Sequence, residues 1–98
     1  MPGIRKAKAV RAIVRPDRRD EYLERWRRYA SAAAAVGARV RLLEDQVLPG
    51  RFLELTEHQA GEGVELALEQ AVQAAELQRS CVRREGDEVL YREVRLGV

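Results

Sequence analysis

The sequence predicts an α+β fold, a four-stranded antiparallel sheet with two helices on one face, in the order β-α-β-β-α-β. Three observations predict it. Two stretches, near residues 18–36 and 62–80, carry apolar side chains at three- and four-residue spacing. Two alternating stretches lie between them, joined through Pro49-Gly50, and one more stands toward each end. At 98 residues the chain has room for one core and not two, so residues 1–98 form a single domain.

Residues 8–15, KAVRAIVR, alternate and are partly β-branched, as a strand requires. Pro16 ends that strand because it has no backbone N–H to donate. Asp17 then caps a helix from Arg18 to Val36, with Tyr22, Leu23, Trp26, Tyr29, Ala30 and Ala33 on one buried stripe. Glu21 and Arg25, and Glu24 and Arg28, stand as i,i+4 pairs, and Gly37 suits the position after the helix. Residues 39–47 and 51–58 read as a hairpin about Pro49-Gly50. The second helix, 62–80, has Val64, Leu68, Ala71, Val72 and Ala75 as its core stripe. Glu65, Glu69 and Glu76 flank that stripe, and Leu66 and Leu77 fall opposite it. Gly86-Asp87 reads as a turn before a last strand, 88–96. Neither helix can bury its stripe alone, so both cover one sheet face. Right-handed crossovers then give the ferredoxin-like split βαβ arrangement with strand order 4-1-3-2.

Strand parity divides the sheet into two sets of side chains. Val10, Ala12, Val14, Val40, Leu42, Leu53, Leu55, Leu90, Val94 and Leu96 form an apolar set, assigned to the helix side. The other set is mixed: Arg11, Ile13, Arg41, Leu43, Phe52, Glu54, Thr56, His58, Tyr91 and Glu93. A purely solvated face would not gather Ile13, Leu43, Phe52 and Tyr91, and a simple core would not hold Arg11, Arg41, Glu54 and Glu93. The mixture suits a surface that meets a partner.

With the strand KAVRAIVRP, the helix that carries Trp26, and LPGRFLELTEH followed by a helix, nearly the whole chain resembles the dimeric α/β-barrel superfamily. Its closest match there is the antibiotic-biosynthesis-monooxygenase-like domain. The resemblance implies a homodimer whose two sheets pack face to face as a barrel, with the mixed faces inside. It also implies kinship with cofactor-independent monooxygenases, with haem-degrading enzymes and with many proteins of no assigned activity. The haem-degrading members rely on an Asn, a Trp and a His. This chain has no Asn, its Trp26 lies on the first helix, and its His58 ends a strand, so no catalytic residue carries over from them.

His58, the only histidine, is the candidate catalytic group, a general base or an orienting group at one barrel mouth. Its plainer reading is a hydrogen-bonded residue at a strand end. Arg11, Arg41, Glu54 and Glu93 either bind a polar substrate or pair with one another across strands or across the dimer. Phe52 and Tyr91 either stack on an aromatic ligand or fill an interface. Tyr22, Trp26 and Tyr29 have the spacing of a buried stripe and read as core. Cys81 stands near Arg83 and Arg84, which favour a thiolate. Without a second cysteine its role reads as structural. No metal site is expected, because no second histidine exists to complete one. "GEG" lacks the lysine and hydroxyl of a phosphate loop, and no cofactor is expected.

A net charge of +2 spread over 18 basic and 16 acidic residues argues against nucleic acid as the partner. No apolar run reaches the roughly 20 residues of a membrane span, and the N-terminus lacks the apolar core of a secretory signal. A lone cysteine forbids an internal disulfide and favours a reducing, cytoplasmic setting. Basic residues are nearly all arginine and asparagine is absent, which fits a thermophile or a GC-rich genome. Two functions follow, the first implied by the resemblance and by no catalytic motif. One is an oxygenase-like enzyme acting on a small aromatic or polyketide-like molecule, which His58, Tyr91 and Arg11 orient between sheet and helices. The other is a non-catalytic dimeric ligand-binding or scaffold module whose polar groups satisfy one another.

Overall fold

In the computed structural model the chain is described over residues 5–90, and its side chains over residues 5–86. Strand β1 is Arg5–Ile13, helix α1 is Arg19–Ala35, β2 is Arg39–Glu44 and β3 is Arg51–Gln59. Helix α2 is Glu62–Ala75 and β4 is Arg83–Leu90. Single 3-10 turns, Pro16–Arg18 and Leu77–Ser80, precede α1 and follow α2. The strands lie in the order β2-β3-β1-β4, every neighbouring pair antiparallel. This is the expected 4-1-3-2 order read from the other edge, a ferredoxin-like sheet with both helices on one face.

Proline opens the turn before α1, where its missing N–H costs nothing. Asp17 does not cap the helix as expected. It sits inside that turn and pairs with Arg15 at 3.3 Å. Arg25 bonds Glu21 at 2.8 Å as the spacing predicts, whereas Glu24 pairs with Arg27 rather than Arg28. The helix ends in a Schellman motif: Ala38 N–H reaches Ala33 O and Gly37 N–H reaches Ala34 O, both at 3.0 Å. Gly37 permits this because it adopts φ 81°.

The core lies between the helices and the sheet. Tyr22, Trp26, Tyr29 and Ala33 of α1 meet Leu68, Ala71 and Ala75 of α2 and Ala12, Val14 and Phe52 of the sheet. Leu77 belongs there too and is fully buried, against the expectation that it falls outside. The helix stops at Ala75, and Glu76 then takes the left-handed conformation, φ 53°. That break turns Leu77 inward. Leu66 stays 55% exposed.

Two expectations about the strands are corrected. Gly86-Asp87 is not a turn but lies within β4, opposite Val10 and Ala9. A Cβ at Gly86 would stand 2.5 Å from Val10 Cγ2 and 2.8 Å from Ala9 O, so the glycine serves close strand packing. The expected segment 91–96 lies outside the described residues. The second correction concerns β3. Phe52, Glu54, Thr56 and His58 are the buried residues of that strand, and they face the helices beside Ala12, Val10 and Lys8. Leu53 and Leu55 are half-buried on the open face, opposite Arg11 and Ala9. The parity of β1 and β2 is as expected, with Val10, Ala12, Val40 and Leu42 inward and Arg11, Ile13, Arg41 and Leu43 outward. Hydropathy misplaces β3 because its inward polar groups find partners there, Glu54 and Thr56 on other elements and His58 at the adjacent Gln59 carbonyl.

Candidate functional site

Because β3 turns its polar side chains inward, the layer between sheet and α2 is not wholly apolar. It contains a cavity of about 280 Å³. The sheet supplies Lys8 and Val10 from β1, Glu54, Thr56 and His58 from β3, and Arg84 from β4. Tyr29 enters from α1, and Glu65, Leu68, Glu69 and Val72 enter from α2. Convergence of polar groups in a concave, partly apolar space is what small-molecule sites share. A wider concavity of about 460 Å³ lies at the β2–β3 hairpin end, lined by Arg11, Ile13, Leu43, Arg51 and Leu53 among others. Its charged groups, Arg11, Glu44, Asp45 and Arg51, are exposed or half-buried, and none is enclosed as Glu54 and His58 are.

Glu54 is 3% exposed. Its Oε2 accepts a 2.6 Å hydrogen bond from the Tyr22 hydroxyl. Arg84 grips the same carboxylate, Nη2 at 2.7 Å from Oε1 and Nε at 3.2 Å from both oxygens. A buried carboxylate without such partners would be several kcal/mol unfavourable. Burial, then the charge and hydrogen bond of Glu54, raise the Tyr22 hydroxyl well above the usual tyrosine range. Burial works against the Arg84 guanidinium, but its hydrogen bond and charge contact with Glu54 outweigh that and hold it charged. Tyr29 OH and Thr56 Oγ share a 2.7 Å hydrogen bond. Burial also raises Tyr29, partly offset by the Thr56 contact.

His58 is 4% exposed rather than a partly exposed strand end, and it lines the cavity. Its Nδ1 lies 2.7 Å from Gln59 O. A carbonyl oxygen only accepts, so Nδ1 carries the hydrogen and Nε2 is the basic nitrogen of the neutral ring. Toward the outside, Lys6 Nζ donates to Glu65 Oε1, while Lys8 and Glu69 are exposed. The arrangement can hydrogen-bond a small molecule, hold it against Val10, Leu68 and Val72, and accept a proton from it.

Of the residues singled out by sequence, His58 and Glu54 meet in this cavity. Phe52 shares their face but packs in the core, its ring centroid 4.8 Å from that of Tyr22. Arg11 and Arg41 are exposed on the opposite, open face. Tyr91 and Glu93 lie outside the described residues. Sequence reasoning missed Lys8, Tyr29, Thr56 and Arg84 as site residues. The available signal was the pair Tyr22 and Tyr29, whose buried hydroxyls require partners and so call for polar groups on the facing strand. Cys81 also departs from expectation. Burial and the Glu54 charge push its thiol up to about 11 despite Arg84, and its Sγ donates to Leu77 O at 3.2 Å. Among the described residues no cluster of His, Cys, Asp and Glu is placed to hold a metal ion, and no helix is long and apolar enough to cross a membrane.

No family model and no curated protein matches the sequence. Solved structures do match the fold. SnoaB, a cofactor-independent oxygenase from Streptomyces nogalater solved as a mutant, is 18% identical with a TM-score of 0.78, covering 98% of this chain and 100% of its own. A protein of Nitrosomonas europaea proposed to be an antibiotic biosynthesis monooxygenase is 15% identical with a TM-score of 0.75, covering 96% and 94%. A dimeric ferredoxin-like protein from an uncultured marine organism is 9% identical with a TM-score of 0.68, covering 99% and 95%. At these identities the likeness is one of fold, and at that level it bears out the resemblance read from the sequence.

Proposed function

We propose that this chain is a small homodimeric protein that binds a small organic molecule between its sheet and α2 and acts on it as a cofactor-independent monooxygenase-like enzyme. One observation carries the reading: the only histidine is buried in the wall of a cavity, with its tautomer set so that Nε2 is the base. The fold shared with a cofactor-independent oxygenase supports the reaction type. His58 takes a proton from an acidic phenol or from a carbon flanked by carbonyl groups. The resulting anion is electron-rich enough to react with dioxygen itself. Dioxygen is reduced by four electrons, all of them from the substrate: a C–H carbon becomes a carbonyl, one oxygen atom enters there and the other leaves as water with two of the substrate's hydrogens. Glu54, Arg84 and Tyr22 hold the floor rigid, and Thr56 and Tyr29 offer hydroxyls beside the reacting group. The open sheet face, with Ala9, Ile13, Leu43, Leu53 and Leu55, is the surface that a second copy covers, and the lone cysteine fits a cytoplasmic protein.

One observation favours the second reading, a non-catalytic dimeric binding module. The polar groups of the floor pair with one another, Glu54 with Arg84 and Thr56 with Tyr29, and leave few of their bonds for a ligand. Incubation of the protein with 1-naphthol or anthrone under air, followed by mass spectrometry of the products, separates the two. The enzyme reading expects oxygenated product from the wild type. In His58→Gln it expects at least about a hundredfold less product with the ligand-induced rise in melting temperature kept. Thermal stabilisation without product in the wild type would establish the binding module instead. Light scattering at micromolar concentration tests the dimer.

A further inference from the structure

The open sheet face poses a charge problem. Strand parity places Arg5, Arg11, Arg39, Arg41, Arg51 and Arg83 on it, against only Glu57 and Glu85 among the described side chains. The remaining charged residues of the last segment, Asp87, Glu88, Arg92, Glu93 and Arg95, add a single net negative charge and cannot balance the excess. Arginines on the helix side behave differently. Arg18, Arg19, Arg25 and Arg27 each hold a carboxylate at 2.7–3.2 Å. Among the described side chains of the open face one such contact is made, Arg83 to Glu85, 3.1 Å and exposed. Among the described residues Arg11, Arg39 and Arg41 make no ion pair, and Arg51 has only a charge contact with Asp45 beyond ion-pair distance, although all four surround the apolar patch of Ala9, Ile13, Leu53 and Leu55.

If a second copy covers this patch, the arginine rows of two identical sheets approach each other with too few carboxylates between them. Like charges brought together out of water are strongly unfavourable unless counter-charge enters with them. We infer that small multivalent oxyanions, phosphate-like or sulfate-like, occupy the seam of the dimer, clamped between arginines of both copies. Arg39 and Arg41 are two residues apart on one strand, so their side chains emerge on the same face about 7 Å apart, within reach of one tetrahedral oxyanion. The planar guanidinium fork matches such an anion in two-point contact. The inference rests on the dimer reading and adds that the dimer is anion-dependent. It also gives a role to Arg11 and Arg41, which the cavity does not use.

The test is the dimer dissociation constant, measured by sedimentation equilibrium in sodium chloride at fixed ionic strength, with and without pyrophosphate. At about 5 mM, too dilute to act by general salting-out, pyrophosphate is expected to tighten the wild-type dimer at least about tenfold and saturably, as ligand linkage requires. The Arg39→Gln/Arg41→Gln double variant, altered only at exposed positions, is expected to dimerise more tightly than wild type in chloride alone and to lose the response. Pyrophosphate without effect on the wild type overturns the inference and leaves the dimer standing. So does a double variant that dimerises more weakly in chloride, since its arginines would then be paired with the partner's carboxylates, or one that still responds fully. A protein that stays monomeric in every buffer overturns the dimer reading and this inference together.

Discussion

Replacing Arg84 by methionine tests the central electrostatic claim. The change removes the guanidinium that bonds both oxygens of Glu54, at 2.7 and 3.2 Å, and leaves one hydrogen bond, from Tyr22, on a carboxylate only 3% exposed. The Arg84 side chain is itself 14% exposed, so solvent screens the pair little. Stranding a buried charge in this way costs about 3–5 kcal/mol. Domains of this size unfold with about 5–15 kcal/mol in all, so the variant should sit near the edge of folding. At about 4–8 °C per kcal/mol, its melting temperature falls by about 12–40 °C. The complementary variant Glu54→Leu/Arg84→Met replaces both charges by apolar groups of similar shape. It should recover most of the loss, to within about 1–2 kcal/mol of wild type, the residue being the orphaned Tyr22 hydroxyl. Urea unfolding at one fixed protein concentration measures four chains, the wild type, Arg84→Met, Glu54→Leu and the double variant, because a dimer makes the midpoint concentration-dependent. A single variant that loses less than about 1 kcal/mol, or a double variant that costs as much as the two singles summed, refutes the reasoning.

Three further outcomes follow from the same geometry. Gly86→Ala places a methyl group against Val10 Cγ2 and Ala9 O, and overpacking there should cost about 1–3 kcal/mol, read as a lower melting temperature. Tyr29→Phe removes one bond to Thr56, which water in the cavity can replace, so the loss should be about 1 kcal/mol or less by urea unfolding. In alkali, Tyr22 and Tyr29 keep protons in the folded chain that the unfolded chain releases near pH 10, and Cys81 does so from pH 9.0 to about 11. Their folded pKa values are raised, so this stabilisation is complete below about pH 9 and is lost as pH rises beyond it. Melting temperature should therefore fall steadily above pH 9, with the tyrosinate absorbance of Tyr22 and Tyr29 appearing only on unfolding. Ionisation of both in a still-folded chain would contradict the burial described.

The order of elements and of strands was legible in the sequence because each rests on a pattern several residues long. The α1 stripe through Tyr22, Trp26 and Tyr29, the β2–β3 turn at Pro49-Gly50 and the crossover rule together leave one arrangement. The facing of β3 was not legible, because the rule that polar residues lie outward fails once partners await them. Glu54 and Thr56 are buried only because Arg84, Tyr22 and Tyr29 meet them, and no local pattern announces a partner about 30 residues away; His58 follows on the same parity, bonded to the adjacent Gln59 carbonyl. Phe52 was the overlooked clue. It is the strand's largest apolar residue and shares parity with all three. The start of β4 was missed for a similar reason. Glycine was read for its backbone freedom, whereas at Gly86 its lack of a side chain is what counts. The same error over β3 mixed the site's lining: a ligand was expected between sheet and helices, but Arg11 and Arg41, grouped with His58 and Glu54, lie on the other side of the sheet.

The bare backbone at Gly86 works as a keyway for the branched side chain of Val10. Sliding β4 along β1 by two positions would bring Arg84 or Glu88, each bulkier than the notch allows, against that methyl group. The edge strand thus has a single seating, held by shape rather than by sequence complementarity along its length. If β4 or the chain beyond it were ever exchanged between copies, the exchanged strand would have to arrive in the same seat. Assemblies formed that way would inherit one geometry instead of a slipping series that ends in fibres.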